Sequence, residues 1–358
     1  MAVHFHPLKI KDIKKETADC VSIAFDVPDQ LKATFAFEQG QNITLKSTID
    51  GEEIRRSYSI CTAPFENELR VAVKKVDNGK FSTFANTVLQ VNDEIEVMPP
   101  TGRFNTRLLK THKKNYVAFA AGSGITPIIS LIKTTLQTEP ESNFTLVYSN
   151  KNRASIIFFE ALEALKNKYL QRFNLINLLS REKTDAPVSF GRISEEKLIQ
   201  LSKLVNYAAT DEFFICGPEE MIFCVKDFLE KSGTDKKKIH FELFATTGKK
   251  QTAVVKEEIK KAHVPSSKIS IKLDGRSFDF DLAFNKESIL DAALSQGADL
   301  PFACKGGVCC TCKAKVIEGE VEMDVHWGLE QDEIEKGFIL TCQSHPVTEK
   351  VVIDFDIK

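Results

Sequence analysis

Four cysteines near the carboxyl end constrain this chain more than any other feature. Cys304, Cys309 and Cys312 are spaced C-x4-C-x2-C, and Cys342 follows after 29 intervening residues. Three thiolates from one loop and a fourth from elsewhere suit a [2Fe–2S] cluster, for which this opening spacing is known. Structural zinc sites show two short pairs instead, and a shared middle cysteine fits them poorly. Inert buried thiols are the plain alternative, set against four such residues around one glycine-rich stretch. Lys305-Gly306-Gly307-Val308 supplies glycines that let amides approach the sulfurs. Such N–H donors tune a cluster's potential. Cys310 sits between ligand positions and is read as a small, partly buried non-ligand. His326 and His345 lie near the cluster segment, but four cysteines already complete the ligand set. The chain holds nine cysteines, an odd number, and no secretory h-region near its start. A disulfide framework therefore does not fit, and a cytoplasmic protein is expected.

Upstream of the cysteines the pattern changes twice. Short strand candidates at 21–25, 42–45, 58–61, 69–73 and 93–97, with one helix at 82–89, predict a small antiparallel barrel. Strands at 116–120, 144–149, 173–179 and 212–216 then alternate with helices reaching 135 and at 158–168, 195–201 and 218–231. That alternation predicts a parallel sheet with helices on both faces. Periodicity lapses through a lysine-rich stretch that ends near Pro265. A hairpin at 269–273 and 277–282, a helix at 289–295 capped by Ser288, and strands at 313–317 and 351–355 follow. Lys plus Arg number 48 against 50 Asp plus Glu, and no apolar run reaches membrane length. Neither a nucleic acid nor a membrane is an expected partner.

Three further segments carry chemistry. Arg56-Ser57-Tyr58-Ser59 lies at a strand edge. Arginine offers a fork of donors to phosphate, and tyrosine a rigid ring to stack on a planar cofactor. Gly79-Lys80-Phe81-Ser82 opens a helix whose first amides suit a pyrophosphate. Gly122-Ser123-Gly124-Ile125-Thr126-Pro127 joins a strand to a helix, and its glycines let backbone approach a diphosphate. It is not the G-x-G-x-x-G fingerprint, because residue 127 is proline, which the first helical turn accepts. Each segment alone also reads as ordinary barrel surface or a tight turn. Ser180-Arg181 pairs a hydroxyl with a fork donor, as a dianion requires, and Arg153 and Lys183 add positive charge. An acid there would favour a ribose diol, and Glu182 and Asp185 keep that alternative open.

Residues 267–358 resemble a plant-type ferredoxin domain, through Ala303-Cys304-Lys305-Gly306-Gly307-Val308-Cys309-Cys310-Thr311-Cys312 and Leu340-Thr341-Cys342-Gln343. Residues 1–106 resemble the flavin domain of the ferredoxin–NADP reductase superfamily. The resemblance implies that Arg56, Ser57, Tyr58 and Ser59 bind the flavin and its phosphate. It likewise implies that Gly79, Lys80, Phe81 and Ser82 hold a pyrophosphate, which favours FAD over FMN. Gly122, Gly124, Thr126 and Pro127 resemble that family's nicotinamide-side loop, and Cys216-Gly217-Pro218 its C-G-P segment. Ser59, Thr126 and Cys216 are thereby implied at the hydride-transfer site, with Cys216 near the nicotinamide and not a covalent nucleophile. Ser180 and Arg181, helped by Arg153, are implied to hold a 2′-phosphate; NADPH is expected, with NADH the alternative.

The implied fold is multidomain: an antiparallel flavin-binding β-barrel at 1–107, an α/β nucleotide-binding domain with a parallel sheet at 108–245, a linker at 246–266, and an α+β, β-grasp ferredoxin domain at 267–358. This order resembles the reductase components of bacterial oxygenases, most of all those serving phenylacetyl-CoA epoxidase. The resemblance implies electrons passing from NADPH through FAD and [2Fe–2S] to a multisubunit di-iron oxygenase. A reductase for another ring-hydroxylating oxygenase or a desaturase, or a general ferredoxin-type electron-transfer reductase, is the alternative. A redox sensor with degenerate flavin sites is opposed by the intact Arg56, Tyr58, Ser59, Gly79 and Ser82.

Overall fold

Two Asp-Gly turns set the register of hairpins at one edge of the first and third sheets. Asp50 and Gly51 both have positive φ, 52° and 78°, and close β3 (Asn42–Ile49) onto β4 (Glu52–Ser59) with Ile49 opposite Glu52. Mirror-image turns of this kind match the twist of paired strands. Asp274 and Gly275, at 52° and 69°, repeat the device between β12 and β13, given below. The computed structural model describes residues 4–244, 266–284 and 286–357. The chain divides into two compact units, Phe5–Leu243 and a second within Phe244–Lys358.

The first unit begins with a six-stranded antiparallel sheet. With β1 (His6–Thr17), β2 (Cys20–Asp26), β5 (Leu69–Lys74) and β6 (Glu94–Val97), its order is β4-β3-β6-β1-β2-β5. An antiparallel bridge between Ile60 and Val71 brings the two edges together, so the sheet closes on a core that includes Ile23, Ile43, Leu45 and Val73. The strand expected at 58–61 is β4, displaced toward the amino end; the turn at residues 50–51, not the apolar stretch, decides where it starts. Helix α1 (Lys80–Thr87) begins two residues before the expected 82, because Gly79 serves as its N-cap.

The chain then enters a parallel sheet through β7 (Asn115–Ala121), α2 (Ile125–Thr138), β8 (Asn143–Asn150), α3 (Phe159–Lys168), β9 (Phe173–Leu179), α4 (Glu195–Leu201), β10 (Glu212–Gly217), α5 (Glu219–Lys231) and β11 (Ile239–Leu243). Its order is β11-β10-β7-β8-β9, all parallel. β7 is apolar on both faces because helices cover both, as buried parallel strands require. β11 was not among the expected strands, nor was β1, although Ile239, Phe241 and Leu243 alternate with His240 and Glu242 as a half-buried strand's residues do.

The second unit holds β12 (Ser266–Leu273), β13 (Arg276–Ala283), α6 (Ile289–Ser295), β14 (Lys313–Glu318), β15 (Val321–Met323), α7 (Gln331–Glu335), β16 (Phe338–Leu340), β17 (Ser344–Pro346) and β18 (Lys350–Asp354). The mixed sheet runs β13-β12-β18-β14-β16, with β15 and β17 as a separate ribbon. Ser288 caps α6 through the Asp291 amide, 3.2 Å away, as the sequence indicates. Of the expected linker at 246–266, only residue 266 falls among those described, where it opens β12. Among the described residues no helix is long and apolar enough to cross a membrane.

Candidate redox centres

β7 and β10 are neighbours, yet the chain leaves β7 toward β8 and β9 and returns on the other side as β10 and β11. The crevice outside their carboxyl ends is the switch point at which open α/β sheets bind ligands. Both expected nucleotide segments end there. Gly122 follows β7 with φ 53° and starts a 3-10 turn, Gly122–Gly124, that feeds α2. A Cβ on Gly124 would lie 2.0 Å from the Cys216 carbonyl oxygen, so only glycine lets this loop pack on the end of β10. Gly217 ends β10, and Pro218 is the N-cap of α5. Thr126 and Pro127 are buried in the first turn of α2, and the Thr126 hydroxyl donates to Ser123 O at 3.0 Å. The threonine side chain thus shapes the turn itself.

The barrel reaches the same crevice. Ser59 is buried, and its Oγ donates to Glu242 Oε2 at 3.2 Å. Glu242 stands beside Cys216 in the β10–β11 register. Burial raises the Cys216 thiol well above its usual range, and the Glu242 charge adds to this, so the sulfur keeps its proton. Ser59, Cys216 and Glu242 therefore converge from three strands. The sequence reading missed Glu242, which lies 26 residues beyond Cys216 in no motif. It also missed Lys74, whose Nζ would be 3.7 Å from a Cβ built on Gly122.

Elsewhere on β4, strand alternation separates Arg56 and Tyr58 from Ser57 and Ser59. Arg56 is exposed and donates to its neighbour Arg55 O at 2.7 Å. The Ser57 hydroxyl pairs with Thr44 across the strands at 3.0 Å. The Tyr58 ring lies 5.7 Å from that of Phe81, and burial raises its phenol, which stays protonated. Phe81 is 1% exposed, in the barrel core. Ser82 Oγ accepts from Val76 N at 3.2 Å and donates to Gly79 O at 3.1 Å. Lys80 pairs with Glu52. What Phe81 and Ser82 offer a pyrophosphate is backbone N–H, not side chain. FAD fits the donors that this edge presents: a guanidinium, a tyrosine ring and a helix start.

At the far end of the sheet, the loops after β8 and β9 lie together. Ser180 N donates to Asn150 O at 2.9 Å and Arg181 N to Lys151 O at 2.8 Å. The Arg153 guanidinium stands 4.7 Å from the Phe159 ring centre. Glu182 Oε2 accepts from the Arg153 amide at 2.8 Å, so its carboxylate is turned onto backbone.

In the second unit the four cysteines form two pairs. Cys304 lies within hydrogen-bonding reach of Cys309, and Cys312 of Cys342. In each pair one thiol is pushed up and its partner down: hydrogen bonding to Cys304 lowers Cys309 to about 5, and Cys312 likewise lowers Cys342. Amides point at the sulfurs, with Gly306 N 3.3 Å from Cys304 Sγ and Gly307 directed to Cys342. Among the described residues no three His, Cys, Asp or Glu side chains gather about one ion position. Two thiol pairs, amide-lined and largely buried, fit a two-iron centre taking two sulfurs at each iron. Cys310 departs from them. Its φ is 54°, and its Sγ donates to Gly328 O. Lys305, also left-handed at 51°, is held by Asp291 at 2.6 Å and by Gln343 Nε2 on its carbonyl at 3.0 Å.

Three family profiles match this arrangement: an oxidoreductase FAD-binding domain over residues 7–106, an oxidoreductase NAD-binding domain over 119–227, and a 2Fe-2S iron-sulfur cluster binding domain over 271–347. The chain is 45% identical to a component of the 1,2-phenylacetyl-CoA epoxidase of Escherichia coli (strain K12), over 99% of this chain and 98% of that one. The chain belongs to the ferredoxin–NADP reductase superfamily, in the branch that carries a C-terminal [2Fe–2S] domain. It is 32% identical to the ferredoxin reductase component of 3-ketosteroid-9-alpha-monooxygenase from Rhodococcus rhodochrous, covering 97% of this chain and 96% of that one. In fold it is similar to phthalate dioxygenase reductase, with TM-score 0.59 and 23% identity over 98% of both chains. This member of the superfamily is an NAD(P)H-dependent oxidoreductase that uses FAD and a [2Fe–2S] cluster, and its homologues include reductase components of oxygenase systems.

Proposed function

We propose that this chain is the NADPH-dependent reductase of a multisubunit di-iron oxygenase that epoxidises phenylacetyl-CoA. Identity of 45% along essentially the whole length of the Escherichia coli epoxidase component carries this reading. When bound, the flavin takes a hydride from the nicotinamide and the cluster relays electrons singly, which is the cofactors' own chemistry.

The residues set where this happens. Arg56 and Tyr58 present phosphate and ring contacts on the outer edge of the barrel. The loop at residues 122–127 and the Cys216-Gly217-Pro218 segment flank the crevice that receives the nicotinamide. The buried Cys216 thiol, neutral, packs that crevice and excludes water. At its edge the Ser59 hydroxyl donates to Glu242 Oε2. Ser180 and Arg181 receive the 2′-phosphate, and NADPH is favoured because the nearby Glu182 is engaged with the Arg153 amide and does not offer itself to a ribose diol. Cys304, Cys309, Cys312 and Cys342 hold the cluster, and Cys310 anchors the loop.

The 32% identity to the ketosteroid monooxygenase component supports a second reading, service to another oxygenase. The test is reconstitution. Purified reductase is mixed with a phenylacetyl-CoA epoxidase core, NADPH and phenylacetyl-CoA, and epoxide is measured against electrons consumed. Tight coupling supports the first reading. NADPH consumption without epoxide, together with coupled turnover by a ketosteroid oxygenase, supports the second.

A further inference from the structure

Tyr148 is fully buried on β8, on the sheet face that also carries Phe144 and Leu146. A phenylalanine would fill the same space. A buried hydroxyl is costly unless bonded, so the oxygen needs a reason. Its hydroxyl donates to the Gly122 carbonyl, 2.9 Å away, and lies within hydrogen-bonding reach of the Asn150 side chain and the Ile157 backbone. Gly122 is the first residue of the loop that follows β7, and its carbonyl also accepts from Ile125 N–H, closing the 3-10 turn. Two donors thus hold one carbonyl inward. A trans peptide is planar, with its C=O and N–H pointing in opposite directions. Turning Gly122 C=O toward the buried tyrosine turns Ser123 N–H, in the same peptide unit, outward. The loop is mounted on both flanks of β7: Gly124 packs on the Cys216 backbone of β10, and Tyr148 reaches from β8.

We propose that Tyr148 is a positioning residue for the nicotinamide nucleotide: it holds the Gly122 peptide so that the Ser123 N–H faces the diphosphate. This rests on the assignment of residues 122–127 as the nucleotide loop.

Tyr148→Phe in the full-length holoprotein tests it, since the ring and the core are kept. We expect Kd and KM for NADPH to rise about three- to tenfold, the cost of one hydrogen bond, while kcat falls less than about twofold. Flavin and iron content should match the parent protein. A lowered melting temperature with unchanged Kd and KM would overturn the proposal and leave Tyr148 as packing alone. Ser123→Tyr separates this from failure of the loop assignment. If added bulk at residue 123 leaves NADPH affinity unchanged, the nucleotide does not lie on this loop. If it abolishes binding while Tyr148→Phe has no effect, the loop stands and the tyrosine's role falls.

Discussion

At the residue scale, function rests on a few side chains with separable duties. Glu242 is expected to matter for proton handling at the flavin edge. Glu242→Gln should lower the rate of flavin reduction by NADPH by on the order of a hundredfold, at the lower end of general acid–base effects, with Kd changing much less. Anaerobic stopped-flow absorbance reads both; an unchanged rate would remove Glu242 from the reaction. At the cluster, Cys310→Ser should keep iron near two atoms per chain, because its sulfur faces Gly328 and not the thiol pairs. Cys342→Ser should lose the cluster, and iron analysis distinguishes the two. The cysteines that pair in the structure were legible as a group in the sequence because a loop places three of them within nine residues, 304 to 312. Glu242, Lys74 and Tyr148 were not. Each reaches its partner only through tertiary packing, across 183 residues in the case of Ser59 and Glu242.

At the scale of elements, local signals and global packing agreed most where caps were present. Helices at 195–201 and 289–295 match α4 and α6 residue for residue, and each begins at a serine whose side chain accepts from a first-turn amide. β4 was misplaced because charged residues interrupt its apolar pattern and pairing with a neighbour strand overrides that pattern, and β11 was missed although its short run alternates apolar and polar residues. Phe81 and Ser82 show the same limit at the site itself: the G-x-x-S motif was legible, but not that both side chains turn inward. The crossing from barrel to sheet is secured by Glu212 at the start of β10. Burial opposes its ionisation, but hydrogen bonds from His240, Lys114 and Thr106 outweigh this and hold its pKa at about 2. The folded-state value lies below the unfolded one of 4.5, so the contribution is complete above about pH 4.5 and is lost as pH falls toward 2. Glu212→Gln should therefore lower stability at pH 7 by on the order of 2 kcal/mol, and the deficit should shrink on acidification. Urea unfolding at pH 7 and pH 3.5 measures it; a deficit independent of pH would show that the carboxylate's charge is not what secures the crossing.

At the scale of the whole molecule, two compact units divide the labour. Phe5–Leu243 holds the flavin edge and the nucleotide crevice, and the second unit holds the cysteine pairs. Removal of iron by chelation should leave NADPH-dependent reduction of the flavin intact and suppress one-electron reduction of cytochrome c. Undiminished cytochrome c reduction would mean that electrons leave from the flavin. The most direct measurement is an anaerobic NADPH titration of the purified chain, followed by visible absorbance and low-temperature EPR. The account predicts flavin bleaching together with the rhombic signal of one reduced two-iron cluster per chain. Flavin bleaching with no cluster signal, and zinc bound to Cys304, Cys309, Cys312 and Cys342 in place of iron, would contradict it.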